Sequence, residues 1–475
     1  MKKIGIFIFR KDLRLTDNLG LINLSNVCSQ IIPIFILDNN QINKTEDNKY
    51  YRSNNAIQFM CESIIDLNQQ LNNKLNLYKG DPIIVLNKII NTIYNNYDEI
   101  IISYNMDYTK YALLRDNEIN NIIEKYNKIK LLKEENDISL IPFPNMIKSD
   151  NTPYMVFGAF YKNAIKINVN NIIQNKFKKY IKLDNITNIS YNINKLDKLY
   201  IKNNYIAQHG GRTIALAKIN NKDIYKNYSN NRDLLTFKTY EISAALNFGC
   251  LSVREFYHII KYNITIKKQL YWRDFYSCIL RYSPNANSYN KFIDSRFNTV
   301  KWENSYKYWE LLINSQTGYL IIDAAMRELI KTGYIGNRTR LLLGTFWIKY
   351  LLINPLHSKY GSQVGFSYYL VDCNTSQNKL NHQWFTDLDL SGRRFSKKGC
   401  NPLTGRMMRI DNEVIKKFDP NCEYIKKWLP ELKNIPNKEL YKWDENIQKK
   451  YNIHYKPIFN WEEQYKKYCL LFKNI

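Results

Sequence analysis

No uninterrupted apolar run in these 475 residues is long enough to cross a bilayer, so no membrane-spanning helix is expected. The eight cysteines are scattered without a CxxC pair, and no histidine stands at metal-ligand spacing. Neither a disulfide framework nor a zinc site is indicated, and reduced thiols are expected. No GxGxxG and no GxxxxGKS or GxxxxGKT follows a strand-like segment, which excludes a Rossmann dinucleotide site and a P-loop. Acidic residues are in deficit as well: 43 Asp and Glu stand against 69 Lys and Arg, a net charge of +26. That balance favours a polyanionic partner such as nucleic acid. The abundance of Asn, Ile, Lys and Tyr fits an AT-rich genome, which supplies much lysine without any function, so the charge gains meaning only where it surrounds a pocket. The opening MKKIGIFIFRKDLRL begins like a signal peptide, but Arg10, Lys11 and Asp12 end the apolar stretch early. A cytosolic, nuclear or virion protein is expected, not a secreted one.

What is present divides the chain. Its length exceeds one compact core, so two or three units are expected. Ile4 to Phe9, Ile31 to Leu37, Leu75 to Lys79 and Ile100 to Ser103 are apolar, β-branched and strand-length. Amphipathic stretches around Ala56 to Leu71 and Leu113 to Tyr126 are long enough for crossover helices. The alternation predicts an α/β unit with a doubly wound parallel sheet over 1–137. Over 138–208 the periodicity weakens, with Pro142, Pro144 and Pro153 ahead of an Asn/Lys/Ile-rich stretch, as in an interdomain linker. From 209 to 475 the spacing is helical almost throughout, broken at Gly249, Pro284, Gly333, Pro355, Gly361 and Pro402, and no internal repeat is visible.

Several stretches carry chemistry. Phe9 to Asn18, FRKDLRLTDN, is a charged loop after a strand, with Thr16 or Asp17 available to cap a following helix. Thr239 and Ser243 place hydroxyls and amides near a helix start, where a phosphate is favoured. Gln269, Trp272, Arg273 and Tyr276 fall at i, i+3, i+4 and i+7, one helix face suited to a flat polar ligand. Periodicity alone equally allows a core-packing face with Arg273 snorkelling.

Together with FRKDLRLTDN, six ordered stretches resemble the photolyase/cryptochrome family, closest in motif to class I cyclobutane pyrimidine dimer photolyases. They are Tyr228 to Asp233, Thr239 to Ser243 continuing to Gly249 through Arg254, Gln269 to Tyr276, Thr317 to Arg327, Asn337 to Arg340, and Phe418 to Leu432. The resemblance covers nearly the whole chain. It implies an all-helical FAD-binding unit and light-driven repair of UV-damaged DNA by a monomer. It further implies that Tyr228, Thr239, Tyr240, Glu241, Ile242, Ser243, Arg340, Asp372, Cys373, Asn374 and Asn378 hold the cofactor. The Thr239 loop would take the diphosphate, the Arg340 and Asp372 pair would lie beside the flavin ring, and Asn378 would face its N5. Gln269, Trp272, Asn337, Asn378 and Trp384 would, as the resemblance implies, act on a dimer flipped from the duplex. Arg232 and Arg338 would hold flanking phosphates, with Arg273 and Tyr276 on the same DNA-facing surface and Trp384 as a second indole wall.

The chain departs from the family at several of these positions. Tyr240, Ala244 and Ala245 stand where Ser, Pro and Tyr are usual. Gln269 replaces the glutamate of dimer-specific enzymes, and an amide cannot offer a proton to the dimer radical anion, so lower efficiency or altered lesion preference is expected. Gln is usual there in cryptochromes and in (6-4) lesion enzymes, but the latter carry paired histidines that Tyr334 to Arg338 lacks. Asn378 is typical of photolyases rather than of cryptochromes. Of the family's tryptophan chain, Trp302 remains while the other two positions read Pro355 and His382, which predicts slow photoreduction unless Trp347, Tyr368 or Tyr369 forms another route. Tyr111-Ala112 replaces the Asn-Glu pair that holds folate, leaving a deazaflavin or no antenna as open as folate is doubtful. The rival reading is a cryptochrome-like blue-light sensor or a repair-inactive FAD and DNA binder. Against it, the chain closes soon after Trp461, and no signalling tail is expected.

Overall fold

The computed structural model describes residues 2–43, 53–288, 291–293, 295–384 and 410–471. Among the described residues five strands form one sheet: β1 (Lys3–Phe9), β2 (Ile31–Leu37), β3 (Asn76–Lys79), β4 (Glu99–Asn105) and β5 (Ile129–Glu134). Every pairing is parallel and the order is β3-β2-β1-β4-β5, the doubly wound arrangement expected. β5 is the strand the hydrophobic pattern misses. It is an edge strand reading IKLLKE, and an edge tolerates the lysines and glutamate that interrupt its apolar run. The helix Lys110–Ile123 therefore lies between β4 and β5 rather than after the last strand.

Period-two alternation along β1 serves two cores. Ile4, Ile6 and Ile8 pack with Val85, Ile89 and Ile119 on one face. Phe7 and Phe9 point the other way, into a core shared with Phe59 and with Phe248 and Phe275 of the helical unit. A further core around Trp347, Phe346 and Leu343 belongs to the helical unit alone.

FRKDLRLTDN is buried between the two units. Arg14 pairs with Asp137 at 2.7 Å, and Arg254 of the helical unit reaches Asp17 at 2.9 Å and the carbonyls of Asn136, Asp137 and Ser139. Asp17 is thereby committed to Arg254 and Ser252, with φ +53, and Asn18 rather than Thr16 or Asp17 caps the helix Leu19–Val27. Gly249, at φ +68, lies so close that a Cβ there would sit 2.2 Å from the Lys11 carbonyl; only glycine lets the units meet. The 138–208 segment is tied to the sheet by bridges from Tyr180 to Ile31 and from Ser190 to Tyr78. Among the described residues no helix is long and apolar enough to cross a membrane.

Burial pushes the carboxyls of Asp12 and Asp274 up to about 6 and those of Asp323 and Glu328 up to about 7, against ordinary values of 3.8 for Asp and 4.5 for Glu. Each is ionised in the unfolded chain before it is ionised in the fold. Their cost is therefore fully present above the folded values and relieved as pH falls through them. His382, pushed down to about 3 by burial and by Arg340, works in the opposite sense, but only below its ordinary value of 6.5. Urea unfolding is thus expected to give a higher midpoint at about pH 6.5 than at about pH 8.

Candidate active site

Three helices and two loop segments bring together residues expected to hold the cofactor. The loop Thr239 to Ile242 enters the short helix Ser243–Asn247, Arg340 projects from the helix Asn337–Thr345, and Asp372 to Asn374 lead into the helix Thr375–Trp384. Asp372, nearly buried, receives both a two-pronged contact from Arg340 Nη2, at 2.8 and 3.0 Å, and the Ser243 hydroxyl at 2.5 Å. Arg340 Nε donates to the Ile335 carbonyl at 2.9 Å, and its guanidinium lies 5.2 Å from the Tyr334 ring centroid. Arg340, Asp372 and Ser243 thus form one polar chain, with the Tyr334 ring against its guanidinium end.

Gln208 is a member of this cluster that sequence reasoning missed. Its amide donates to Ser243 Oγ at 3.0 Å and accepts from the Ala244 N–H at 2.9 Å, one of the amides read as phosphate donors. It sits at the end of a stretch whose composition marks only a linker. Tyr240 is buried edge-on to Phe256, Ile242 is buried, and Glu241 ion-pairs with Lys218 at 3.6 Å. Tyr228 is half-buried on the helix Lys222–Asn231.

The second cluster is centred on Asn378. Its Nδ2 donates to the Gln363 carbonyl at 2.9 Å, and its Oδ1 lies 3.0 Å from His382 Nε2. Because His382 stays neutral, Nε2–H donates to Oδ1, which fixes the amide's orientation. The second N–H of Nδ2 is left to present to a ligand. Asn374 caps its helix through Ser376 and Gln377 and donates to Asn247, which in turn donates to the Cys373 carbonyl. A cavity of about 720 Å³ is lined by Asn247, Cys373, Asn374 and Asn378 and runs on between the units to Phe9 and Asp38.

The Gln269 to Tyr276 stripe is one helix face, on Ile264–Tyr282, but its four members are not equally open. Gln269 is half-exposed and donates only a long bond, 3.3 Å, to the Thr265 carbonyl. Trp272 is half-buried, stacked on Phe157 of the linker at 3.6 Å and 7°. Tyr276 is buried and donates to Asn381 at 2.8 Å. Arg273 turns inward to the Ile138 carbonyl and to Asp274, 3.2 Å away, and lines the cavity. Asn337 is exposed at the first turn of its helix. Arg338 and Arg232 converge on Asp233, at 2.7 and 3.8 Å. Trp384 closes its helix, and its side chain lies outside the described residues. Trp302 is half-buried against the helical core.

Residues 265–474 match the family model for the FAD binding domain of DNA photolyase, and residues 6–174 match that for DNA photolyase. The chain is 29% identical to a protein of Buchnera aphidicola subsp. Acyrthosiphon pisum named deoxyribodipyrimidine photo-lyase, over 98% of this chain and 96% of that one. It superposes on an archaeal photolyase from Sulfolobus tokodaii, whose crystal structure holds two FAD molecules, with TM-score 0.83 and 29% identity over 99% of this chain and 100% of the other. A Synechocystis cryptochrome, 21% identical, shares the fold with TM-score 0.84 over 99% of each chain. The helical unit is thus an FAD-binding unit of photolyase type, and the donor set of Arg340, Asp372, Ser243, Asn374 and Asn378 suits the ring and phosphates of that cofactor. With residues 6–174 and 265–474 both matched, and packed together where Trp272 stacks on Phe157 and Arg273 meets the Ile138 carbonyl, the chain belongs to the DNA photolyase family.

Proposed function

We propose that this protein splits cyclobutane pyrimidine dimers in DNA, in blue light, with reduced FAD. The observation that carries the reading is the Asn378 amide, locked by Gln363 and His382 beside the Arg340–Asp372 pair in a photolyase FAD-binding unit. Bound in its reduced form, FAD supplies an excited electron that opens the dimer and receives it back. The protein's own part is positioning. Asn378 offers an uncharged N–H to the ring, which supports a reduced, anionic flavin without adding a fixed charge. Arg340 and Asp372 hold that ring, and the loop Thr239 to Ser243 takes the phosphates once Gln208 yields its amide contact.

On the DNA side, Gln269 meets a thymine edge, Trp272 offers an indole wall and Asn337 stands exposed beside them. Arg338 and Arg232 hold flanking phosphates, with Asp233 orienting both guanidinium groups. Arg273 and Tyr276 support this face from within, and Trp384 is assigned to the opposite wall. The acting species is taken to be a monomer, in the cytoplasm or nucleus where DNA is found. The cavity lobe at the carboxyl ends of β1 and β4, where strand order reverses, is the place an open α/β sheet gives to a ligand, here a light-harvesting chromophore.

Gln269→Glu is expected to raise dimer splitting severalfold per absorbed photon, because a carboxyl restores a proton donor, while the affinity for damaged strand stays the same. Chemically reduced protein should be lit with blue light in the presence of oligonucleotides bearing one cyclobutane dimer or one (6-4) lesion. Loss of the dimer alone supports the reading. Repair of the (6-4) strand alone, or of neither, would replace it with the (6-4) enzyme or the sensor, the latter favoured by Gln269.

A further inference from the structure

In the pattern this chain resembles, the two positions between Trp302 and the flavin read Pro355 and His382, neither of them an indole. A different set of aromatic rings leads from the same site to solvent. His382, bonded to Asn378, meets the Phe366 ring edge-on at 4.7 Å. Phe366 lies 6.0 Å from the fully buried Trp347. Trp347 stands on a π-helical turn, Phe346–Tyr350, that continues the Asn337–Thr345 helix, and such turns re-aim side chains locally. Its indole is seated against Gly365, where a Cβ would come within 2.1 Å of Cη2; only glycine admits the ring.

From Trp347 the path continues outward. Its Nε1 donates to the Tyr360 carbonyl at 2.7 Å. The Tyr360 ring lies 5.1 Å from Trp309 and 5.7 Å from Tyr306, and Trp309 lies 5.7 Å from Tyr306, all within ordinary aromatic contact. Tyr306 is 49% exposed, and its phenol donates to Glu310 Oε1 at 2.8 Å.

We infer that Trp347, Tyr360, Trp309 and Tyr306 form the electron relay that reduces the oxidised flavin in light, with Glu310 as the proton acceptor at its outer end. The inference rests on the flavin site proposed above. One electron leaves the Trp347 indole for the photoexcited oxidised flavin, and Phe366 and His382 fill the gap as a packed bridge without being oxidised. Tyr360 bridges Trp347 to Trp309 in the same unoxidised way, and Trp309 and Tyr306 pass an electron inward in turn. Tyr306 loses its phenol proton to Glu310 as it loses the electron, leaving a neutral phenoxyl radical. An external thiol returns a hydrogen atom to that radical, two thiyl radicals join as a disulfide, and Glu310 releases its proton to water. The tyrosine hop is thus made irreversible by a proton that has somewhere to go.

The test follows flavin absorbance in FAD-loaded protein under blue light with a thiol, and pulsed-light spectra of the aromatic radicals. Trp347→Phe, Trp309→Phe and Tyr306→Phe should each slow photoreduction about tenfold or more. Tyr306→Phe should abolish the tyrosyl signal, Glu310→Gln should slow its appearance, and Trp302→Phe should change neither. Trp309 and Tyr306 lie near the surface, so their variants report even if Trp347→Phe folds poorly. Each variant, once chemically reduced, should split dimers as the parent does. Photoreduction at the parental rate in the Trp309 and Tyr306 variants, or its loss in Trp302→Phe, would overturn the relay. Failure of the chemically reduced parent to split dimers would instead count against the function proposed above.

Discussion

Asp372→Leu is expected to yield protein that retains only a small fraction of its flavin and is about 3 kcal/mol less stable to urea. The carboxylate is nearly buried and receives both Arg340 and Ser243. Removing it strands a guanidinium whose remaining described hydrogen bond is to the Ile335 carbonyl. The loss sits at the low end for a broken buried pair because the Arg340 side chain keeps 26% of its exposure. The double replacement Arg340→Met, Asp372→Leu separates the two effects. It should recover much of the stability, since an apolar pair substitutes well for a buried ionic one, while flavin stays lost. Flavin absorbance per polypeptide after purification, alongside urea titration, reads both. Parental flavin content in the single variant would show that this pair does not hold the cofactor.

Arg254→Met is expected to cost about 4 kcal/mol and to split one thermal transition into two. Arg254 crosses between the units to the buried Asp17 and to three carbonyls of the Asn136 to Ser139 turn, of which those of Asp137 and Ser139 are buried. A methionine fills the volume but leaves those acceptors and the Asp17 carboxylate with fewer donors in a place water does not reach. The sheet unit and the helical unit each have a core of their own, so each should persist and melt separately. Scanning calorimetry measures this. A single transition at the parental midpoint would mean that the apolar contact around Phe59 and Phe248 couples the units unaided.

How far these arrangements could be read from sequence depends on what each residue's partner is. β1, β2 and β4 are legible because a parallel strand buried on both faces must be continuously apolar, and Ile4 to Phe9 is such a run; β3, at the other edge, keeps its buried residues because the 138–208 segment covers it through Ser190. β5 is not, because it is an edge strand left largely open, which relaxes that demand. The helix face of Gln269, Trp272, Arg273 and Tyr276 follows from spacing. Spacing does not show that the Ile138 carbonyl claims Arg273, or that Phe157 covers Trp272, since those neighbours lie at sequence distances no periodicity reaches. Arg340, Asp372 and Asn378 are found by family pattern. Gln208 and Gln363, which complete the two clusters, contribute through an amide and a backbone carbonyl that carry no distinguishing mark in a sequence. The aromatic path from Trp347 to Tyr306 is hidden for a similar reason: among 38 tyrosines, contact alone selects Tyr306 and Tyr360.

The claim of light-driven, redox-neutral repair is tested most directly by turnover. Chemically reduced protein is mixed, without air, with an excess of a strand carrying one cyclobutane thymine dimer and lit with blue light. Strands are then separated by chromatography while flavin absorbance is followed. Many dimers should be split per protein molecule in light and none in the dark, with the flavin spectrum unchanged at the end. Survival of the dimer in light, or its loss only in step with flavin oxidation, would contradict it.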